Sequence, residues 1–407
     1  MIRFLAASSL IFAMAVSLEA ADWPQFLGPK RDNTTPEEVA PWKGELKALW
    51  KMPVGEAHSS PVVADGIVYI FAHPKGGNTD SLSAFDAKTG ELKWKNEYDR
   101  IPFTSQFGDG PGSTPVVRSG KVYTFGSTGI LACWNTKTGD IVWKVDTSKE
   151  FKPSNLRFGI STSPIMIGED KVVVMVGGKG AGVVAFDVKN GKTVWQATDD
   201  PPSYSSPIFA DKQLIFLTGS NLLGLSTAGK ELWSIPFKDL LNESSTTPIM
   251  LGDMAIASSV TAGTIAVRVS EKDGKYSTEK VWDNKALTCY FSTPVPSGDY
   301  LYMINGALLA KSITLRCVEA KTGKLAWEKK NVGRYHAAIL RCGPEGKERM
   351  LMLDDNGFLT LFEVNPKEYK ELAKSKVCGL TWAHPALVDN NLYLRDEKEL
   401  ICIPLSK

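Results

Sequence analysis

The sequence predicts an all-β fold, an eight-bladed β-propeller built from four-stranded antiparallel blades. Three observations predict it. A Ser/Thr-Pro step recurs at Ser60-Pro61, Thr114-Pro115, Ser163-Pro164, Ser206-Pro207, Thr247-Pro248 and Thr293-Pro294, with degenerate copies at Ala337-Ala338 and His384-Pro385. The intervals are 54, 49, 43, 41, 46, 44 and 47 residues, and each holds about four short apolar runs of period two. A turn followed by Trp closes most units. A repeat in the forties with four strands per unit is the pattern of propeller blades.

The first unit, residues 59–94, shows the design. Runs at 61–63 and 67–71 flank an Ala64-Asp65-Gly66 turn. A third run, 81–85, leads into Asp86-Ala87-Lys88-Thr89-Gly90, and a fourth ends at Trp94. Asp caps the turn with its side chain, and Gly takes the positive φ that closes it. The same turn-to-Trp segment returns at 135–143, 187–195, 226–233 and 319–327. Trp282 closes the fifth unit after a divergent hairpin, and the seventh, through 363–372, has no Trp. Large rings at one constant phase read as packing in the seam between neighbouring blades rather than as a ligand cage.

The eighth unit has only three runs, 386–388, 392–394 and 400–404. The missing fourth is the spare run 49–54, with Trp50 at the repeat's Trp position. Pairing the two closes the ring with strands from both chain ends and removes the open sheet edges. The expected organisation is therefore a signal peptide over 1–20, an irregular lead-in over 21–46 and the propeller over 47–407. The signal reading rests on Arg3, an apolar stretch over 4–16 and Ala20 before the cleavage point. That stretch is short for a bilayer span, which takes about 20 residues. The lead-in is expected to pack Trp23 and Phe26 against the body.

Composition narrows the function classes. The 47 Lys and Arg nearly balance the 45 Asp and Glu, and no basic run of five occurs, so nucleic acid is not an expected partner. None of the six Cys forms C-x-x-C or an adjacent pair. Cys133, Cys317 and Cys402 fall in register with Ala84 and Ala185 in third strands, as small core residues do. Gly177-Gly178-Lys179-Gly180-Ala181-Gly182 opens no helix and reads as a hairpin, not a phosphate loop.

The repeat Ala-x-Asp-x-x-Thr-Gly-x-x-x-Trp, present at 84–94 and, with Asn190 in the Thr place, at 185–195, resembles the pyrroloquinoline-quinone (PQQ) type propeller repeat. The head Asp22-Trp23-Pro24-Gln25-Phe26-Leu27-Gly28-Pro29 resembles the start of secreted bacterial proteins that carry it. The resemblance covers nearly all the chain after the signal, and it implies two different functions. One is quinone-dependent dehydrogenation of an alcohol or sugar, with PQQ and calcium on the propeller axis. That branch typically has a vicinal Cys pair, which is absent here. The other is a non-catalytic scaffold resembling the propeller lipoprotein of the outer-membrane barrel-assembly machinery. Here no Cys follows the apolar leader, so a lipid anchor is not expected. The leading expectation is a non-catalytic scaffold or ligand-binding module: an exported, periplasmic or extracellular monomer with envelope protein partners or a small planar, anionic or sugar-like ligand, and no cofactor.

In a propeller, the segments before each first strand gather at one mouth of the axis, where ligand sites in closed β architectures form. They contribute His58, Arg157, Tyr204, Tyr290, Arg334, Tyr335, His336, Trp382 and His384, together with Gln106, Asp109 and Glu243. Arg forks and aromatic faces converging there suit a planar, anionic or sugar-like ligand. The same residues can equally hydrogen-bond across the axis around trapped water. No metal spacing is present.

Overall fold

Eight antiparallel sheets form the eight blades of a propeller. The structure is a computed structural model that describes residues 22–153, 156–307 and 311–405. The expected signal segment lies outside the described residues. Blade 1 runs Val62–Ala64, Ile67–Ala72, Thr79–Asp86 and Leu92–Asp99 from the axis outward. The first strand is short and wholly buried, whereas the fourth is mostly exposed. Blade 8 takes Ala386–Val388, Asn391–Arg395 and Glu399–Pro404 from the C-terminal segment. Its fourth strand is Trp50–Pro53, antiparallel to the third with Trp50 opposite Cys402. The ring closes as the sequence predicts.

The repeat Trp explains how the blades stack. In its own blade it lies opposite a small residue of the third strand: Trp94 faces Ala84, Trp143 Cys133, Trp195 Ala185, Trp282 Ala266, and Trp327 Cys317. Across the seam it donates from Nε1 to a carbonyl in the next blade's turn. Trp50 reaches Ala87, Trp94 Thr136, Trp143 Val188, Trp195 Thr227, Trp282 Ala320 and Trp327 Asn365, at 2.8–3.2 Å. The turn Gly sits under the ring: a Cβ on Gly139 would come 2.5 Å from Trp94. Thus one residue fills the seam, and the turn must carry Gly for two reasons, its positive φ and this close approach. Trp233 is the exception. It bonds Gln213 of its own blade, because the next blade replaces the tight turn with the long hairpin Gly263–Lys272 and Lys275–Asn284. In blade 7, Leu361 faces Ala373, so the large and small partners have changed places.

The Ser/Thr-Pro steps form a belt around the axis. The backbone N–H at this position donates to the hydroxyl of the next blade. His384 donates to Ser60, Ser60 to Thr114, Thr114 to Ser163, Ser163 to Ser206, and Thr247 to Thr293, at 2.9–3.1 Å. Pro at the following position is compatible because its missing N–H is not needed there. All six Cys are buried and free.

The lead-in is more deeply placed than its irregular pattern predicts. Trp23 bridges Val63, the Val117 N–H donates to Pro24, and Thr34–Thr35 pairs in parallel with Ala337–Cys342 as a fifth strand of blade 7. These contacts lie toward the far ends of the first strands, so the segment crosses the end of the axis opposite the mouth. Arg31 is 3% exposed and donates from Nε to Pro207, from Nη1 to Pro164 and from Nη2 to Ser163. A guanidinium is suited to this place because it presents five donors to a ring of carbonyls. Sequence period finds neither this strand nor the five-residue helix Thr147–Phe151, which is capped by Asp146. Both are too short to carry a period.

Candidate functional site

The belt and the lead-in turn the axis into a cup. Its cavity of about 150 Å³ is lined by residues from the segments before the first strands and by Phe26 of the lead-in. Trp23 packs against the body as expected, but Phe26 instead reaches the axis, where its ring stands edge-on to His384 at 5.3 Å.

At the rim, rings from different blades touch. Trp382 stacks on His58 at 5.2 Å and on Phe291 at 5.2 Å, and Phe107 lies 5.3 Å from Trp382 and 4.8 Å from Phe158. These rings gain by offset and edge contacts as well as by burial. His58 also bonds the Phe107 carbonyl through Nε2, which ties the glycine-rich 101–112 segment over the cavity. Burial holds the His58 imidazole below its usual pKa, with the Phe107 carbonyl opposing.

Beneath the rim lie two buried imidazoles, His336 and His384, with ring centroids 5.5 Å apart. Burial pushes both down to about 3, and each is further lowered by a neighbouring His. Both are neutral near pH 7. Among the described residues, Glu243 is the one carboxylate on the cavity lining. The hydroxyl of Tyr290 donates to it, and burial raises that phenol while the carboxylate raises it further.

The sequence-derived residues divide into two groups. His58, Tyr204, His336, Trp382 and His384 line the cavity. Arg157, Tyr290, Arg334 and Tyr335 do not. Arg157 lies over Phe158 at 5.2 Å and reaches Gln106, and Arg334 lies over Tyr335 at 4.7 Å. Tyr290 stacks behind Phe291 at 3.8 Å, and Tyr335 is edge-on to Trp382 at 6.5 Å. Sequence reading missed Phe107, Phe158 and Phe291. Each immediately follows a residue that the sequence analysis names, Gln106, Arg157 or Tyr290. These pairs lie in turns and bends before the first strands, where neighbouring side chains diverge, one to the cavity and one away from it. Composition of the segment does not say which.

The chain matches the family described as outer membrane protein assembly factor BamB over residues 42–107 and 78–329, and it belongs to that family of PQQ-type propeller repeat proteins. The outer membrane protein assembly factor BamB of Yersinia pestis is 27% identical over 264 residues, 63% of this chain. That match spans 61% of the relative's length. Among solved structures, BamB from Moraxella catarrhalis superposes with a TM-score of 0.60 at 15% identity, covering 89% of this chain and 98% of that one. A europium-containing methanol dehydrogenase gives 0.65 at 12% identity, covering 94% and 89%. The quinohemoprotein alcohol dehydrogenase of Comamonas testosteroni gives 0.65 at 14%, covering 95% and 80%. At such identities the structural likeness speaks for the fold alone.

Proposed function

We propose that this member of the BamB family is a non-catalytic propeller of the cell envelope that holds protein partners on its surface. The observation that carries this reading is the construction of the axis. The rim rings Phe107, Phe291 and Trp382 narrow the cup to a cavity of about 150 Å³, and Arg31 plugs the axis against the belt carbonyls of Ser163, Pro164 and Pro207. Large binding area is then offered by the loops and outer strands. The name of the Yersinia pestis relative, an outer membrane protein assembly factor, supports an envelope location and envelope partners. No helix among the described residues is long and apolar enough to cross a membrane.

The second reading, quinone-dependent dehydrogenation, is favoured by the shared fold of the alcohol and methanol dehydrogenases. The cup does not fit that cofactor pair. Calcium takes about six to eight oxygen ligands, largely carboxylates and carbonyls. The lining offers one carboxylate, Glu243, already engaged by Tyr290. The two Arg side chains that would meet an anionic quinone lie over Phe158 and Tyr335 instead. Among the described residues no group of three His, Cys, Asp or Glu is arranged to hold a metal.

One experiment weighs both. Tagged protein is captured from envelope extract after crosslinking, and a parallel sample is incubated with PQQ and calcium and assayed for dye reduction with a panel of alcohols. A specific outer-membrane assembly partner with no quinone absorbance is expected. Bound quinone with turnover would overturn the scaffold reading, as would reproducible absence of any partner.

A further inference from the structure

The floor of the cup carries a buried acceptor, on His336, that the protein itself does not use. His336 lies 3.3 Å from the Ser292 hydroxyl through Nδ1, and that hydroxyl donates its own proton to the Ala337 carbonyl at 2.7 Å. Ser292 therefore accepts from His336, which places the imidazole proton on Nδ1 and leaves Nε2 as a bare acceptor. Nε2 is buried and has no hydrogen-bond partner. A buried polar atom left unpaired costs about 1–3 kcal/mol, so an unpaired one at a cavity needs a reason.

His384 has the opposite polarity. The Asn33 amide nitrogen, a donor, lies 3.3 Å from its Nδ1. Nδ1 therefore accepts, and the proton sits on Nε2. The floor thus pairs one acceptor and one donor on adjacent neutral rings, under walls of aromatic rings interleaved with serines and glycines.

We infer that the axial cup binds a small uncharged ring bearing a hydroxyl group, its hydroxyl on His336 and His384 and its faces against the rim rings. A hydroxyl accepts one hydrogen bond and donates another, which is the complement of this floor. The size agrees, since a cavity of about 150 Å³ holds a six-membered ring. The charge agrees as well. Both imidazoles are neutral, and the cavity's one ionisable carboxylate, Glu243, would repel an anion. This site stands independently of the surface scaffold role, because one uses the axis and the other the periphery.

The test is calorimetric titration of the full chain at pH 7 with phenol, anisole, benzene and benzoate. Phenol has the required donor and acceptor, anisole lacks the donor, benzene lacks both, and benzoate adds charge. Saturable one-to-one phenol binding is expected, at least tenfold tighter than anisole or benzene, with benzoate not binding. Benzene as tight as phenol, benzoate the tightest, or no saturable phenol binding would each overturn the inference. His384→Phe and His336→Phe, checked for folding by circular dichroism, should each weaken phenol at least tenfold and spare benzene. If either fails to fold, the ligand series on the unaltered chain decides. Crystals soaked in 4-bromophenol should show bromine anomalous signal inside the cup, and signal only elsewhere would also overturn it.

Discussion

Imidazoles buried on the axis couple the stability of the protein to pH. His336 and His384 hold about 3 in the folded chain against an ordinary value of 6.5, because burial penalises the charged form. Between pH 6.5 and 3 the unfolded chain binds more protons than the folded one, so stability falls as pH falls through this window. Each buried His contributes up to about 1.4 kcal/mol per pH unit there. Asp80 acts in the other direction. Burial raises its carboxyl to about 6 against the pull of Arg100, which favours the folded state as the pH drops from 6 towards 4. The His contribution is therefore read by difference. Denaturant midpoints of the unaltered chain and of His336→Phe, measured from pH 7 to 4, should diverge, with the variant losing less stability on acidification. Parallel pH profiles would show that His336 does not titrate on unfolding. The same residues mark a limit of sequence reading. His58, His336 and His384 were legible as mouth residues from repeat phase alone. Their tautomers were not, since these depend on Ser292 and Asn33, 44 and 351 positions away.

The blade is the element whose chemistry is most fully written in the chain. Asp86, Thr89, Gly90 and Trp94 sit at fixed offsets, and each has a local or nearest-neighbour task. Asp86 accepts from the Lys88 and Thr89 N–H groups, Gly90 takes φ +73°, and Trp94 seals against the next turn. The seam predicts an asymmetry among glycines. Gly139 has φ +76° and lies under Trp94, whereas Gly252 has φ +59° with open space around it. Gly252→Ala should cost only the left-handed strain, about 1–2 kcal/mol. Gly139→Ala adds overpacking against a ring, for about 2–4 kcal/mol in all. Urea melts of both variants check the difference, and equal losses would show that the ring yields freely. The missing Trp of blade 7 was legible as an absence. Its compensation by Leu361 against Ala373 was not, because register across a hairpin appears only when the strands pair.

At the scale of the whole molecule, the ring depends on a strand borrowed from the other end of the chain. Without Trp50–Pro53, blade 8 would expose the edge of Glu399–Pro404. Removing residues 22–54 should therefore lower the thermal midpoint by more than 10 °C (about 4–8 °C accompanies each kcal/mol in a small domain, and less in a large one). It should also produce concentration-dependent association, seen by light scattering, because an unpaired edge is a template for pairing. A truncated chain that stays monomeric with an unchanged melt would show that closure is dispensable. Blade number, strand order, the closing strand and the seam Trp were determined by the sequence itself, since repeats of local and nearest-neighbour contacts leave a period that can be counted. The aromatic rim, the polarity of the floor and the seating of Phe26 and Arg31 on the axis were decided only by the tertiary structure. On that axis eight non-equivalent segments and the lead-in meet across distances of the chain that no period records, and each side chain's partner is set by which neighbours the closed ring brings to it.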